Sequence, residues 1–448
     1  MNIVIIGSGY VGTTAAALFS VSGHNVVAID LDPKKVSLIN SGKAPFYEDG
    51  LDKILAAGIE KGALKATSEY EGAIKSADVV FSCVGTPDNP DGSSNLAYVI
   101  GAAEEASKYL KDGAIFVQKS TVPVGTGRKI MKLLPSSVPY VSNPEFLRES
   151  TAVYDTLMFD RIVAGGEDQE ANRSILHLHQ TVEDHFEDIS RISQISYTPG
   201  HTGSYLSTSL ESAELIKVTS NAFLALKISF ANSIAQLCDA AGANIEEVMS
   251  IVGEDQRIGK AFFKAGRGYG GGCFPKDVSG LISSARSFNV DMPIMSAASS
   301  VNDYMPHYII NRIKEKFDGD LHNENIAILG LAFKSETSDT RRSPAIKIAN
   351  LLVEEGANII AYDPQANEEA KATLSESVTV AEKREDALKD ATIVIIATDW
   401  SEFKVASDWT PQAHNLKLVA DAVNCLDVTE VSQLDTGYVG VGRGQIDA

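Results

Sequence analysis

Residues 2–12 read Asn-Ile-Val-Ile-Ile-Gly-Ser-Gly-Tyr-Val-Gly. The apolar run is continuous rather than alternating, which marks a strand buried on both faces, as in a parallel sheet. The glycines end it in a tight turn. The Thr-Thr-Ala-Ala-Ala-Leu-Phe-Ser that follows at 13–20 has the composition of a helix. Asn25–Ile29 is a second strand, ending at Asp30, and Asp78–Val84, Ala114–Lys119 and Pro139–Ser142 continue the alternation. Strands separated by helical crossovers predict a parallel α/β sheet. The first domain is expected over residues 1–205.

The same wording returns near the other end. NIAILG at 325–330 echoes NIVIIG at 2–7, ANIIAYD at 357–363 echoes HNVVAID at 24–30, and ATIVIIAT at 391–398 echoes ADVVFSCVG at 77–85. Three matching strands in one order predict a second doubly wound domain at 321–448. Between them, nothing breaks a helix from about 212 to 242, and a helical pattern continues to about Lys316. The expected fold class is therefore α/β. Two doubly wound, Rossmann-like parallel sheets are joined by a long central helix and a helical middle region, 206–320. A long helix with an apolar face commonly carries subunit contacts, so a homodimer or higher homo-oligomer is expected.

Composition narrows the partners. The 448 residues carry 39 Lys+Arg against 59 Asp+Glu, a net charge of −20. Such a balance disfavours nucleic acid and anionic membrane surfaces, which need local basicity. The sequence lacks the long apolar run that a membrane span requires. Residue 2 already opens a strand, with no basic and apolar leader before it, so the cytoplasm is the expected location. The four cysteines, at 83, 238, 273 and 425, form no CxxC pair, and no metal site is expected.

Gly7-Ser-Gly9-Tyr10-Val11-Gly12 gains meaning from its position between strand and helix, with Asp30 at the next strand end. Gly7 permits the turn, Gly9 lets the backbone approach a pyrophosphate, and Gly12 lets helix and strand pack closely. Asp30 would accept hydrogen bonds from ribose hydroxyls and repel a 2′-phosphate. No arginine follows it, so NAD is expected rather than NADP. The second copy, Gly330-Leu-Ala-Phe-Lys334, lacks the later glycines and should bind something else.

The second reactive stretch is Tyr269-Gly-Gly-Gly-Cys273-Phe-Pro275-Lys276-Asp277. Its glycines suggest room for a ligand. Pro275 suits the first turn of a helix, so Cys273 should sit at a helix N-terminus, where the dipole and Lys276 favour thiolate. Cys83, Cys238 and Cys425 lie in apolar patterns and read as packing residues. A nucleophilic thiol beside NAD narrows the chemistry. Thiolate addition to an aldehyde creates a tetrahedral carbon that can lose hydride and become a thioester.

These motifs, with VGTP at 84–87, STVPVGT at 120–126, NPEFLRES at 143–150, AELIKVTSN at 213–221, DQRIG at 255–259 and FKSETSDTRRSP at 333–344, closely resemble the UDP-glucose/GDP-mannose dehydrogenase family over nearly the whole chain. The resemblance implies an NAD domain, a central dimerisation region and a C-terminal domain for the UDP portion of a nucleotide sugar. It implies four-electron oxidation of UDP-glucose to UDP-glucuronate through thiohemiacetal and thioester intermediates. The alternatives are the same chemistry on GDP-mannose or a UDP-N-acetylhexosamine. By the same resemblance Cys273 is the nucleophile, Lys217 and Asn221 stabilise oxyanions, Asp277 and Thr121 serve a water, and Glu145 is a base for hydrolysis. NAD contacts are implied for Gly7, Gly9, Tyr10, Val11, Gly12, Asp30, Lys35, Thr86, Thr121, Glu149, Lys276 and Arg341. Substrate contacts are implied for Glu145, Phe146, Leu147, Arg148, Glu149, Lys217 and Asn221. They extend to Phe262, Phe263, Lys264, Ala265, Gly266, Gly270 and Lys334, with Arg257 donated by a neighbouring subunit.

Plainer readings compete. A lysine on a long helix is usually solvated, and Glu145 and Glu149 suit a helix N-terminus. His177, His179 and His185 read as a solvated polar face, since an i, i+2 pair splays apart on a helix. A two-electron β-hydroxyacid dehydrogenase would share the first domain but not the Cys273 motif. A non-catalytic nucleotide sensor would leave Cys273 unreactive. Two departures from the family stand out: Asn232-Ser233 replaces Asn-Glu, and Asp421-Ala-Val-Asn424 lacks the arginine of Asp-x-Arg-Asn. The polar stretch 200–212 has no functional reading.

Overall fold

The computed structural model describes residues 1–317, 319–434 and 436–444. The chain divides into two compact units, Met1–Ser220 and Asn221–Ala448.

Unit 1 is built on one sheet: β1 (Asn2–Ile6), β2 (Asn25–Ile29), β3 (Leu64–Thr67), β4 (Val79–Ser82), β5 (Ile115–Gln118), β6 (Tyr140–Ser142), β7 (Arg161–Gly165) and β8 (Ser204–Thr208). Their order is β3-β2-β1-β4-β5-β6-β7-β8, parallel except where β7 runs against β6. In register, Val4 lies between Val27 and Val80. The continuous apolar wording of β1 is explained by burial on both faces, with Ile3, Val4, Ile5 and Ile6 all buried. On one face Phe19 of the helix Tyr10–Val21 stacks on Phe81, ring centroids 5.5 Å apart. Truncating Phe81 to alanine would cost about 3–5 kcal/mol.

Unit 2 carries β9 (Asn325–Leu329), β10 (Asn358–Tyr362), β11 (Thr379–Val380), β12 (Ile393–Ile396), β13 (Leu418–Asp421) and β14 (Gly437–Gly440). Their order, β11-β10-β9-β12-β13-β14, is parallel throughout. The three echoed segments occupy equivalent places: β9, β10 and β12 stand where β1, β2 and β4 stand in unit 1. In each sheet the strand order reverses beside the first strand, which is where an open α/β sheet receives ligands.

The expected central helix is observed as Leu210–Ala241, and the boundary between the units falls inside it. The helices Ile245–Val252, Phe274–Ser287 and Pro293–Lys316 complete the middle region. The stretch 200–212 is not irregular throughout. Its centre forms β8, paired in parallel with β7, and this strand was not legible from its Ser/Thr-rich wording.

Candidate active site

In unit 1 the glycine loop is held by packing at two of its three glycines. Gly7 has φ +97°, and a Cβ there would lie 2.8 Å from the Cys83 carbonyl oxygen. A Cβ on Gly12 would overlap the Gly7 carbonyl at 1.9 Å. Gly9 is different, because a Cβ there would meet nothing within 4 Å. Protein packing therefore does not require glycine at 9. The space lies at the amino end of the helix Tyr10–Val21, where backbone N–H groups favour an anion. It fits the pyrophosphate of NAD. Asp30 closes the site at the end of β2, accepting from the backbone N–H of Ser8 at 2.8 Å and of Asp32 at 3.0 Å. Lys35 lies 3.6 Å from its carboxylate. Tyr10 stacks on Phe46 with centroids 4.0 Å apart, and Thr86 is buried beyond the end of β4.

The same unit brings together Glu145 and Lys217. Their ion pair is 3.2 Å, and the side chains are only 10% and 4% exposed. The solvated reading of Lys217 is thereby overturned, as is the helix-terminus reading of Glu145, which lies in a loop before the helix Ala152–Leu157. Glu145 also accepts from the Leu147 N–H at 2.6 Å. The Lys217 ammonium lies 5.4 Å and the Arg161 guanidinium 4.0 Å from the Phe146 ring. Arg148 is turned to Asp155. Beside Glu149, Ser150 holds φ +73°, a conformation few non-glycine residues adopt.

Three further residues near this pair were not assigned to the site by the sequence reading. Glu214 accepts from the N–H groups of Gly125 and Gly127, each at 2.7 Å, and so ties the long helix to the Thr121 loop. Lys119 is buried and donates to the Asn143 side-chain oxygen at 3.1 Å; burial holds its pKa below the ordinary lysine value. His179 lies 2.9 Å from that same oxygen, and burial pushes its pKa well below 6.5. The solvated reading of the histidines therefore fails for His179. Residues 175, 178 and 182 bury one face of the helix Gln169–Glu183, and position 179 flanks that face. His177 is exposed, as the splayed pair requires.

In unit 2 Cys273 is exposed and caps the helix Phe274–Ser287, with Pro275 in the first turn. The other thiols are less accessible. Cys83 and Cys238 are buried and Cys425 half-buried. Burial pushes all three up, Cys83 to about 12. Asp277, buried one turn after Cys273, accepts from the Asn221 side-chain amide at 2.6 Å and pairs with Lys276 at 2.7 Å. Lys276 is thus directed at Asp277. The room expected beside the three glycines is filled by the chain itself. Added Cβ atoms at 270, 271 and 272 would meet the Arg342 carbonyl, the Phe333 ring and the Arg341 guanidinium. Arg341 pairs with Asp339 at 2.6 Å.

The remaining substrate candidates line one segment. Phe262, at φ +64°, faces Phe274 with centroids 5.9 Å apart. Phe263 packs near Phe230 and lies under the Lys227 ammonium. Lys264 reaches Asp399 at 3.8 Å, and Ala265 is buried. The N–H of Gly266 donates to Asn232 at 2.8 Å, so Asn232 positions this segment while Ser233 bonds its own helix at Ser229. Arg257 is 89% exposed beside Asp255, and Lys334 is half-buried at the end of the β9 loop.

The comparison with known proteins agrees with this division of labour. Residues 1–183 match the NAD-binding domain of the UDP-glucose/GDP-mannose dehydrogenase family, 211–304 its central domain and 327–428 its UDP-binding domain. The chain belongs to this family. Its cofactor is NAD. The chain is 38% identical to a UDP-glucose 6-dehydrogenase of Bacillus subtilis, covering 99% of this chain and 98% of that one. It is 36% identical to one from Rhizobium meliloti over 99% and 100%. Among solved structures, a UDP-glucose dehydrogenase from Pyrobaculum islandicum superposes with a TM-score of 0.85 at 35% identity, over 98% and 97% of the two chains. A UDP-D-ManNAc dehydrogenase from Pyrococcus horikoshii gives 0.85 at 26% identity over both full lengths. No described helix is long and apolar enough to cross a membrane.

Proposed function

We propose that this chain is an NAD-dependent UDP-glucose 6-dehydrogenase that makes UDP-glucuronate by two oxidations at C6. The observation that carries the reading is Cys273, an exposed thiol at a helix N-terminus one turn from the buried Asp277–Asn221 hydrogen bond. Bound NAD would accept a hydride in each oxidation, held by the Gly7–Gly12 loop and by Asp30.

The residues divide the remaining work. The first oxidation converts the C6 alcohol to an aldehyde. The Cys273 sulfur then adds to C6, and Lys217 and Asn221 stabilise the oxyanion that develops. Loss of a second hydride from this thiohemiacetal leaves a thioester. Water held by Thr121 and Asp277 attacks it, Glu145 takes the proton, and the carboxylate departs as the thiol is regenerated. The UDP portion is assigned to unit 2, with Lys334 and the 262–266 segment.

The working enzyme in this reading is a homodimer. Phe223, Phe230 and Leu237 recur every seven residues on the long helix, and each is exposed. Such a stripe is suited to a second copy, which would also bring Arg257 to its neighbour's substrate. An exposed working thiol suits the reducing cytoplasm.

The decisive measurement is NADH yield across a panel of nucleotide sugars. Two NADH per UDP-glucose are expected. One NADH with accumulating aldehyde would remove the thioester step, and faster oxidation of GDP-mannose or a UDP-N-acetylhexosamine would reassign the substrate.

A further inference from the structure

Arg267 lies between the 262–266 segment and Gly270. It is 4% exposed, and the partners of its guanidinium are neutral. It donates to the carbonyls of Ala332 at 3.1 Å and Phe333 at 2.9 Å, to the Thr398 hydroxyl at 3.2 Å and to the Ser343 hydroxyl at 3.3 Å. Its backbone N–H donates to Ala422 at 2.7 Å. A buried cation is normally matched by a carboxylate, because desolvation is costly. Here the acids that face it, Asp399 and Asp363, are already engaged. Asp399 pairs with Lys264. Asp363 accepts from the N–H groups of Leu331, Ala332, Gln365 and Ala366 and from the Trp400 indole. Burial outweighs both acids and lowers the Arg267 pKa to about 10, so the group stays charged near neutrality.

Its location gives this charge a purpose. Ala332 and Phe333 follow β9, Thr398 follows β12, and Ser343 caps the helix Pro344–Glu354. These are the loops at the strand-order reversal of the second sheet, where a ligand is expected. The first amides of the β9 loop cannot serve an anion there, because Asp363 occupies them. We propose that Arg267 is a positioning residue of the nucleotide-sugar site. It fixes the carbonyls that precede Lys334 and supplies a positive charge that no carboxylate among the described residues contacts directly, and that the diphosphate of the ligand completes. This rests on unit 2 binding the UDP portion, and the test separates the two claims.

The test measures dissociation constants for UDP and for uridine by calorimetry on the full-length enzyme, with KM for UDP-glucose and for NAD. In Arg267→Met, UDP affinity should fall about tenfold or more while uridine affinity falls less than about threefold. KM for UDP-glucose should follow UDP, and KM for NAD should not move. Arg267→Lys should restore much of the preference for UDP over uridine, since it restores the charge, and it carries the test alone if the methionine variant does not fold. Equal losses for UDP and uridine in either folded variant, or unchanged UDP affinity in Arg267→Met, would overturn the role of Arg267. Failure of the wild-type enzyme to bind UDP would instead overturn the assignment of unit 2.

Discussion

The first turns of the two sheets begin alike and end differently. Gly7 and Gly330 follow β1 and β9 with φ of +97° and +99°, and each donates its N–H to the neighbouring strand at 2.8 Å. In unit 1 the acid at the next strand end, Asp30, takes one amide of the loop, Ser8, and a helix begins at Tyr10. In unit 2 the matching acid, Asp363, takes the amides of both Leu331 and Ala332, and no helix begins until Pro344. Where unit 1 has Gly9 with open space over it, unit 2 has a buried alanine, Ala332. The strand order is shared, so it does not choose the ligand. The loop chooses it, by leaving its amides available or consuming them.

Substitutions can break this comparison. The largest effect is expected outside both loops. Cys273→Ser should lower steady-state UDP-glucuronate formation by about a thousandfold or more, since no thioester can form. Calorimetry should show NAD and UDP affinities within about threefold of wild type. Loss of binding as well would mean that the thiol segment shapes the sites rather than reacting. Next, Gly12→Ala should destabilise unit 1 by more than about 3 kcal/mol in urea unfolding, because its Cβ overlaps a carbonyl. In unit 2 the opposite exchange, Ala332→Gly at the position matching Gly9, should cost only about 1 kcal/mol.

The two acids sharpen the contrast. Asp30→Ala should weaken NAD about 10–100-fold, as loss of hydrogen bonds to a charged acceptor predicts. Asp363→Ala should leave NAD affinity unchanged and lower the stability of unit 2 by about 3 kcal/mol or more.

The smallest effect concerns pH. Burial raises Glu48, whose carboxylate accepts from the Val153 N–H, from 4.5 to about 7. The folded state therefore holds this proton more tightly than the unfolded one. The contribution is complete below pH 4.5 and is lost as pH rises through about 7. Glu48→Gln should flatten the fall in unit 1 stability across that window, as read by the urea midpoint at each pH. An unchanged slope would assign the pH dependence elsewhere, Glu214 first, since burial raises it to about 7 as well.

Both sheets were legible because their central strands are continuous apolar runs bounded by glycines, a pattern local in sequence. The Cys273 cap was legible for a similar reason, since Pro275 announces a helix start. What escaped depends on partners far apart in the chain. Nothing near Glu214 signals that it holds the amides of residues 125 and 127, and the wording around His179 does not reveal Asn143. The glycines at 270–272 carried a true signal of crowding, but sequence could not say that residues 333, 341 and 342 supply the crowd. Arg267 looks like a surface arginine until the carbonyls of Ala332 and Phe333 are seen around it.

The strand β8 ends one margin of the eight-stranded sheet. A margin of this kind offers unsatisfied peptide groups to any passing chain. Serines and a threonine dominate Ser204–Thr208, and the Tyr205 hydroxyl is anchored to Glu183 at 2.7 Å. Apart from the exposed Leu206, the segment finishes the sheet with side chains that carry hydroxyls. Its contribution is colloidal: it lets a large sheet stop growing at the border of a single molecule.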